Sequence, residues 1–130
     1  HQRQSDFWVF PQFVWQVPHG VGELLSPRER REGIHAGDAE TSLMLAILPD
    51  QVKMERAVTE YPPQQEGLLS LEGALPFSWI TRDISKSGVV GDATAATADK
   101  GEKILADVAA GWVSVLVEIY RFEPPQRWRD

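Results

Sequence analysis

The sequence has no cysteine among its 130 residues, which excludes disulfides, thiolate metal sites and cysteine nucleophiles. It lacks any apolar run near the roughly 20 residues that a membrane-spanning helix needs. Its first residues also lack the apolar core of a signal peptide. Basic residues are in the minority, since 13 Lys and Arg stand against 19 Asp and Glu, so a nucleic-acid partner is not expected. These absences together predict a cytoplasmic protein that binds neither nucleic acid nor membrane.

The length and the 42% hydrophobic content fit a globular domain or a part of one. Aromatic and β-branched residues predict a buried strand over residues 7–17, broken at Pro11. A second, short strand is predicted over residues 75–80, and a helical turn over residues 51–57. Ser26 and Pro27 predict the start of a short helix, as its N-cap and its first helical residue.

Two longer helices are predicted. The first has Asp38 or Gly37 as its N-cap residue and is ended by Pro49. Its predicted inward face consists of Leu43, Met44, Ile47 and Leu48. The second follows Thr97, a good N-cap, and runs to about Arg121. Its apolar stripe is formed by Ile104, Leu105, Val108, Trp112, Val115, Leu116 and Ile119.

The predicted elements are one clear strand, a shorter strand and two good helices. They are too few to close a core of their own, because a buried strand needs neighbouring strands to pair with. The sequence therefore predicts either a chain that docks on a partner or the C-terminal part of a larger α/β domain.

The sharpest chemical candidate is His35, which lies in a loop between Gly33 and Gly37. The glycines allow backbone conformations that can aim the imidazole into a cleft, and histidine is suited to moving protons during amide hydrolysis near neutral pH. Glu40, in the first turn of the next helix, can orient His35 or meet a cationic substrate group. The structural alternatives are a His35 that packs or caps the helix and a Glu40 that only interacts with the helix dipole.

Metal-ligand patterns are scarce in this sequence. The three histidines, one of them terminal, form no His-x-His or His-Glu-x-x-His pattern, so this chain alone is not expected to build a dinuclear centre. His19 and Glu23 are better explained as solvated loop residues than as ligands. Candidates to line a pocket for a flat ligand are Trp8, Trp15 and Trp79.

Two runs stand out as ordered motifs. The first precedes an apolar helix and a Leu-Pro-Asp stop, and it reads His35-Ala36-Gly37-Asp38-Ala39-Glu40-Thr41-Ser42. The second follows a glycine-containing loop, and it reads Ala96-Thr97-Ala98-Asp99-Lys100-Gly101. In this order they resemble the His-Gly/Ala-Gly-x-x-Glu-Thr-Ser and Ala-Thr/Ser-x-x-Lys-Gly signatures of the creatininase (creatinine amidohydrolase) family. The resemblance extends over residues 6–122.

The resemblance implies an α/β fold, a three-layer αβα arrangement with a doubly wound, mostly parallel sheet. Residues 1–130 would be the C-terminal portion of a single creatininase-like domain. It further implies a divalent-metal-dependent amidohydrolase, usually a homo-oligomer. Zn or Mn would polarise the amide carbonyl and supply hydroxide.

Four residues take predicted roles from this resemblance. His35 matches the family histidine that handles the proton passed to the leaving nitrogen, and Glu40 matches the carboxylate of the same motif, so both are predicted to be catalytic. Trp15 matches an aromatic residue at the pocket. Glu32 falls where the creatinine enzymes carry Trp-Asp on a mobile substrate loop. Trp15 and Glu32 are therefore predicted to bind substrate.

The family's metal-ligand segments, of the Glu-x-His…Asp and Asn-Gly-His-x-x-Asn types, do not occur in this sequence. The metal ligands are accordingly expected outside it. The main hypothesis is an amidohydrolase that cleaves a C–N bond in a small cyclic amide or formamide. The alternative is a non-catalytic module that lacks the metal half and binds another chain or a small ligand.

Overall fold

The computed structural model describes residues 8–63 and 67–124. Over these residues the helices are α1 (Pro27–Glu32), α2 (Asp38–Ile47), α3 (Thr81–Ile84) and α4 (Ala98–Tyr120). The strands are β1 (Thr59–Glu60) and β2 (Gly91–Asp92). Short 3-10 turns lie at Val14–Gln16, Val21–Leu24, Pro49–Gln51, Met54–Arg56 and Ala93–Ala95. Even α4 does not combine the length and apolar character needed to cross a bilayer.

The predicted helix ends are largely confirmed. The Ser26 hydroxyl accepts the Glu29 N–H at 3.1 Å, with Pro27 as first residue of α1. The Thr97 hydroxyl accepts the Lys100 N–H at 3.2 Å at the start of α4. These side chains satisfy backbone donors that have no partner inside the helix. Helix α2 stops just before Pro49, as predicted.

The main hydrophobic core lies where α4 meets the amino-terminal loop. Its buried members are Val17, Val21, Ile104 and Val108. Trp112 and Val115 pack against them while remaining partly exposed. The predicted stripe of α4 is therefore confirmed at its centre. Leu105 and Leu116 are wrong as core residues, because 47% and 57% of their surface is exposed.

Helices α2 and α4 cross at close range through small and polar residues. Ser42 is fully buried, and its hydroxyl donates to Asp38 at 3.2 Å and accepts the Thr97 N–H at 3.1 Å. A Cβ on Gly101 would overlap the Ser42 carbonyl oxygen. Asp38, Ser42 and Ala46 are spaced by four residues and therefore share one face of α2. That face is the buried one.

The inward face predicted for α2 is wrong in most of its members. Met44, Ile47 and Leu48 are between 42% and 51% exposed, and Leu43 alone packs against the core. The prediction followed apolar character, whereas the close crossing at Gly101 selects small side chains. Asp38 as an N-cap is also wrong, since Gly37 occupies that position and Asp38 is the first helical residue.

The strand predicted over residues 7–17 is wrong over its described part. Residues 8–13 are irregular and Val14–Gln16 form a 3-10 turn, while Phe7 lies outside the described residues. A strand requires a partner for its backbone groups, and the described part of the chain offers this segment none. The strand predicted over residues 75–80 is reduced to one isolated bridge between Pro76 and Ser70.

The regular ladder of the described residues is antiparallel and pairs Thr59 with Asp92 and Glu60 with Gly91. The parallel sheet implied by the family resemblance is thus not formed within residues 8–63 and 67–124. The turn predicted over residues 51–57 corresponds to the two short turns at Pro49–Gln51 and Met54–Arg56.

Glu60 anchors the loop that leads into β2. Its carboxylate accepts the backbone N–H of Lys86 at 2.7 Å, the N–H of Ser87 at 2.9 Å and the Ser85 hydroxyl at 3.0 Å. These bonds, the one from Lys86 first, lower the pKa of Glu60 to about 2. The loop held in this way ends at Val90, the backbone partner of His35.

Candidate active site

His35 is placed by backbone hydrogen bonds to Val90. The His35 N–H donates to the Val90 carbonyl at 3.2 Å, and the Val90 N–H donates to the His35 carbonyl at 2.8 Å. The imidazole is exposed and makes no hydrogen bond within the described part of the chain. It therefore does not cap α2, where Gly37 is the N-cap residue and no side chain forms a capping hydrogen bond. The backbone is therefore fixed while the ring remains available to a ligand.

Glu40 acts on the backbone next to His35. Its carboxylate accepts the N–H of Ala36 in a short hydrogen bond, and the Thr41 hydroxyl donates to the Ala36 carbonyl at 3.2 Å. Both polar groups of the Ala36 residue are thus held by the first turn of α2. Ala36 itself has a φ of +51°, in the left-handed region that favours glycine. The structure thus connects Glu40 to His35 through the peptide that joins His35 to Ala36.

Replacing Ala36 with glycine should raise the free energy of unfolding by up to about 1 kcal/mol. The left-handed conformation costs an L-residue roughly 1–2 kcal/mol, and glycine avoids this cost. The greater conformational freedom of glycine in the unfolded chain lowers stability by only about 0.4–1 kcal/mol. Urea unfolding followed by helical circular dichroism measures the change. The matched control is Ala109→Gly, at an exposed position of α4, which should lower stability by about 1 kcal/mol. Equal losses in both variants would contradict the strain assigned to Ala36.

Three of the four predicted site residues line one open cavity of about 480 Å³. They are His35, Glu40 and Trp15. Much of the wall between them is apolar, from Val21, Leu25, Ile34 and Ala39. An apolar cavity with a few convergent polar groups is the usual form of a small-molecule site.

Glu32 is the predicted residue that the structure places elsewhere. Its carboxylate pairs with Arg28 at 2.8 Å and with Arg31 at 2.7 Å. These hydrogen bonds, the one from Arg28 first, hold the pKa of Glu32 below its ordinary value. Glu32 lines a separate cavity with Pro62 and Leu69 and does not line the cavity of His35. Its role in substrate binding stays a prediction.

The tryptophans predicted to line a pocket separate in the structure. Trp15 lines the His35 cavity. The Trp79 indole N–H donates to the Leu71 carbonyl at 2.9 Å, and Trp8 packs edge-on against Phe122 with ring centroids 5.5 Å apart. Of these three side chains, Trp15 is the one in a position to meet a ligand beside His35.

His19 also lines the cavity, but its ring nitrogens serve the local fold. Nε2 lies 3.0 Å from the Trp15 carbonyl oxygen, and Nδ1 accepts the Val21 N–H at 3.3 Å. The ring also packs edge-on against the Trp15 indole. His19 thus holds Trp15 in place through contacts within its own loop.

Glu29 is the residue of the site that sequence reasoning missed. It is 6% exposed. Its carboxylate accepts the N–H of Asp38 at 2.7 Å, the N–H of Asp92 at 2.9 Å and the Tyr61 hydroxyl at 3.0 Å. Burial, and then the hydrogen bond from the Tyr61 hydroxyl to Glu29, raise the pKa of Tyr61 to about 12. In the sequence Glu29 belongs to a run of mixed charges, Arg28-Glu29-Arg30-Arg31-Glu32, which is typical of a solvated helix.

The described residues do not fit a metal site by themselves. Within residues 8–63 and 67–124 no group of three or more His, Asp or Glu side chains converges as ligands would. Carboxylate and imidazole sites for Zn or Mn need such convergence. Among the described residues, the cavity next to His35 therefore has no metal cradle of its own.

Comparisons with known proteins identify the family of this chain. The model of the creatininase family, described as creatinine amidohydrolase, matches residues 1–116. The chain belongs to the creatininase family. It is also similar to a mycofactocin precursor peptide peptidase from Mycolicibacterium smegmatis, with 34% identity over 90 residues, covering 69% of this chain and 34% of that protein.

Solved creatininase structures share the fold. A manganese form of creatininase is 29% identical with a TM-score of 0.63, over 92% of this chain and 45% of that one. A creatininase variant complexed with creatine is 27% identical with a TM-score of 0.65, over 93% and 46%. A Zn–Zn form of the same variant is 29% identical with a TM-score of 0.56, over 85% and 40%.

These similarities confirm the family and the α/β creatininase fold class predicted from the two motifs. The chain spans less than half of each of these relatives.

Proposed function

We propose that this chain provides the proton-transfer side of a metal-dependent amidohydrolase that hydrolyses a C–N amide bond in a cyclic amide or formamide. The observation that carries the proposal is the convergence of His35, Glu40 and Trp15 on one cavity of a creatininase-family chain. In this proposal the His35 imidazole passes a proton to the leaving nitrogen. Glu40 holds the adjoining backbone, and Trp15 forms the wall against the substrate.

The partial span of the chain belongs to the same proposal. Residues 1–130 act as the C-terminal portion of one creatininase-like domain, and a divalent metal, Zn or Mn, is held by ligands from chain outside these residues. The lack of a ligand cluster in the described part of the chain supports this arrangement. Assembly into a homo-oligomer and a cytoplasmic location remain predictions.

Replacing His35 with alanine should lower kcat by about 10²–10⁴-fold, the usual contribution of a positioned general acid or base. Metal content should stay the same, because His35 belongs to no cluster of possible metal ligands among the described residues. The assay uses the chain together with any coding sequence upstream of His1, supplied with Zn or Mn. Creatinine, a formamide and a short peptide serve as substrates, and metal is measured by elemental analysis.

His19→Gln is the matched comparison, since His19 lines the same cavity with both ring nitrogens occupied. It should cause a much smaller loss of kcat than His35→Ala. Equal losses would show that the proton carrier is misassigned, and loss of metal in His35→Ala would show that His35 is a ligand. If the assembled protein bound no divalent metal, the amidohydrolase proposal would be abandoned.

A second candidate function is a non-catalytic module that pairs with another chain or binds a small ligand. The observation that favours it is the set of exposed apolar residues along the outer side of α4: Leu105, Val113, Leu116, Val117 and Tyr120. Such a surface is typical of an interface. An assembled protein that binds its partner segment but neither metal nor amide would select this function.

A further inference from the structure

Two backbone segments meet at the His35–Val90 bridge, and each delivers an amide to the same carboxylate. The Asp38 N–H, three residues after His35, donates to Glu29 Oε1 at 2.7 Å. The Asp92 N–H, two residues after Val90, donates to Glu29 Oε2 at 2.9 Å. The two oxygens of one side chain therefore connect both sides of the bridge that places His35.

The carboxylate fits between these segments because glycines face it. A Cβ on Gly91 would lie 2.7 Å from Glu29 Oε1, and a Cβ on Gly33 would lie 2.8 Å from the carboxyl carbon. A Cβ on Gly37 would overlap Oε1. Since real Cβ atoms do not approach so closely, the three glycines form an enclosure of backbone around Glu29. The Tyr61 hydroxyl closes the remaining side with a bond of 3.0 Å to Oε2.

We propose that Glu29 is a positioning residue that sets the place of the His35 imidazole by holding the two segments of the His35–Val90 bridge against each other. The inference rests on the proposed function in taking His35 as the proton carrier. A glutamine at this position keeps the shape but not the chemistry. Its amide has one oxygen, and its NH₂ group would face a backbone N–H donor.

The test is Glu29→Gln in the intact protein, followed by amide hydrogen exchange in NMR. Protection of the Asp38 and Asp92 amides should fall about tenfold or more, because hydrogen bonds to a charged acceptor are lost. Protection of the His35 and Val90 amides should fall with them, and the ring resonances of His35 should shift. The amide of Ile104, a buried residue of α4, should keep its protection, which shows that the fold remains.

Glu55→Gln is the matched control, because Glu55 is exposed and does not line the cavity. It should leave all these resonances unchanged. If Asp38 and Asp92 lose protection while the His35 ring and the bridge do not respond, Glu29 is a structural cap and the proposal is overturned. A His35 ring that shifts equally in Glu55→Gln would overturn it as well.

A second variant applies if Glu29→Gln also loses protection at Ile104 and is therefore unfolded. Tyr61→Phe removes one of the three bonds to Glu29 and should give a smaller shift of the same His35 resonances. An unchanged His35 ring in Tyr61→Phe would then overturn the proposal. These readouts do not depend on turnover, so they stand even if His35→Ala shows that the amidohydrolase function is wrong.

Where the assembled protein hydrolyses an amide, Glu29→Gln should lower kcat at least tenfold with KM nearly unchanged. The reason is that the variant displaces the proton carrier rather than the substrate. An increase in KM with kcat unchanged would assign Glu29 to substrate binding and contradict a positioning role.

Discussion

Replacing Lys100 with methionine should cost about 3–5 kcal/mol of the free energy of unfolding. The Lys100 ammonium lies 2.7 Å and 2.6 Å from the two Asp38 oxygens and donates to the Ala95 carbonyl at 3.1 Å. The Asp38 side chain is 3% exposed. Removing the cation leaves a buried carboxylate without a counter-charge, which is among the most destabilising changes in a protein. Urea unfolding followed by circular dichroism measures the loss.

Lys103→Met is the matched control for this experiment. Lys103 lies one turn further along α4 and is exposed, so its replacement should change stability by no more than about 0.5 kcal/mol. Adding Asp38→Asn to Lys100→Met should recover part of the loss, since a neutral amide is less costly to bury than an unpaired charge. Equal effects of Lys100→Met and Lys103→Met would contradict a buried ion pair.

Replacing Gly101 with alanine should lower stability by up to about 2 kcal/mol, although alanine is the better helix former. Propensity alone favours the change by about 1 kcal/mol. The added Cβ would overlap the Ser42 carbonyl oxygen and lie 2.5 Å from the Ser42 carbonyl carbon. Helices α2 and α4 must separate to admit it, and overpacking of this kind costs roughly 1–3 kcal/mol or more before propensity is counted. The measurement is again urea unfolding.

Two further variants identify the cause. Ala106→Gly, at an exposed position of α4, reports propensity alone and should destabilise by about 1 kcal/mol. Ala46→Gly removes the side-chain atom that would lie 2.9 Å from the new Cβ. It should not rescue Gly101→Ala, because the principal overlap is with backbone. A full rescue by Ala46→Gly would show that side-chain crowding was responsible.

The helices could be predicted because their ends depend on local chemistry. Ser26 and Thr97 accept backbone N–H groups within their own first turns, and Pro49 prevents α2 from continuing. The buried face of α2 could not be predicted in the same way. It depends on Gly101, more than fifty residues further along the chain, which admits only small side chains opposite it.

The strand predicted over residues 7–17 is wrong for a different reason. Its composition is that of a strand, but composition describes only how well a residue suits a sheet. Pairing requires neighbouring strands, and the described residues provide none for this segment.

The cavity residues His35, Glu40 and Trp15 were identified by motif resemblance. The connection of Glu40 to the His35 backbone was not predicted, because it depends on the left-handed conformation of Ala36. Glu29 was missed for a related reason. Its enclosure depends on Gly33 and Gly37 and also on Gly91, which is distant in sequence.

The pairing of Asp38 with Lys100, and of Ser42 with Gly101, has a consequence for how the chain reaches its native state. The two family motifs supply hydrogen-bond and charge partners to each other, so each stabilises the other. The segment between helices α2 and α4, residues 48–97, must bring its two ends together before these pairs can form. The entropy of closing such a loop grows slowly, by about 0.6 kcal/mol for each doubling of length. Changes of length in the loops of this intervening segment, outside β1, Tyr61 and the stretch from Val90 to Asp92, should therefore carry little thermodynamic cost, while the two motifs must change together.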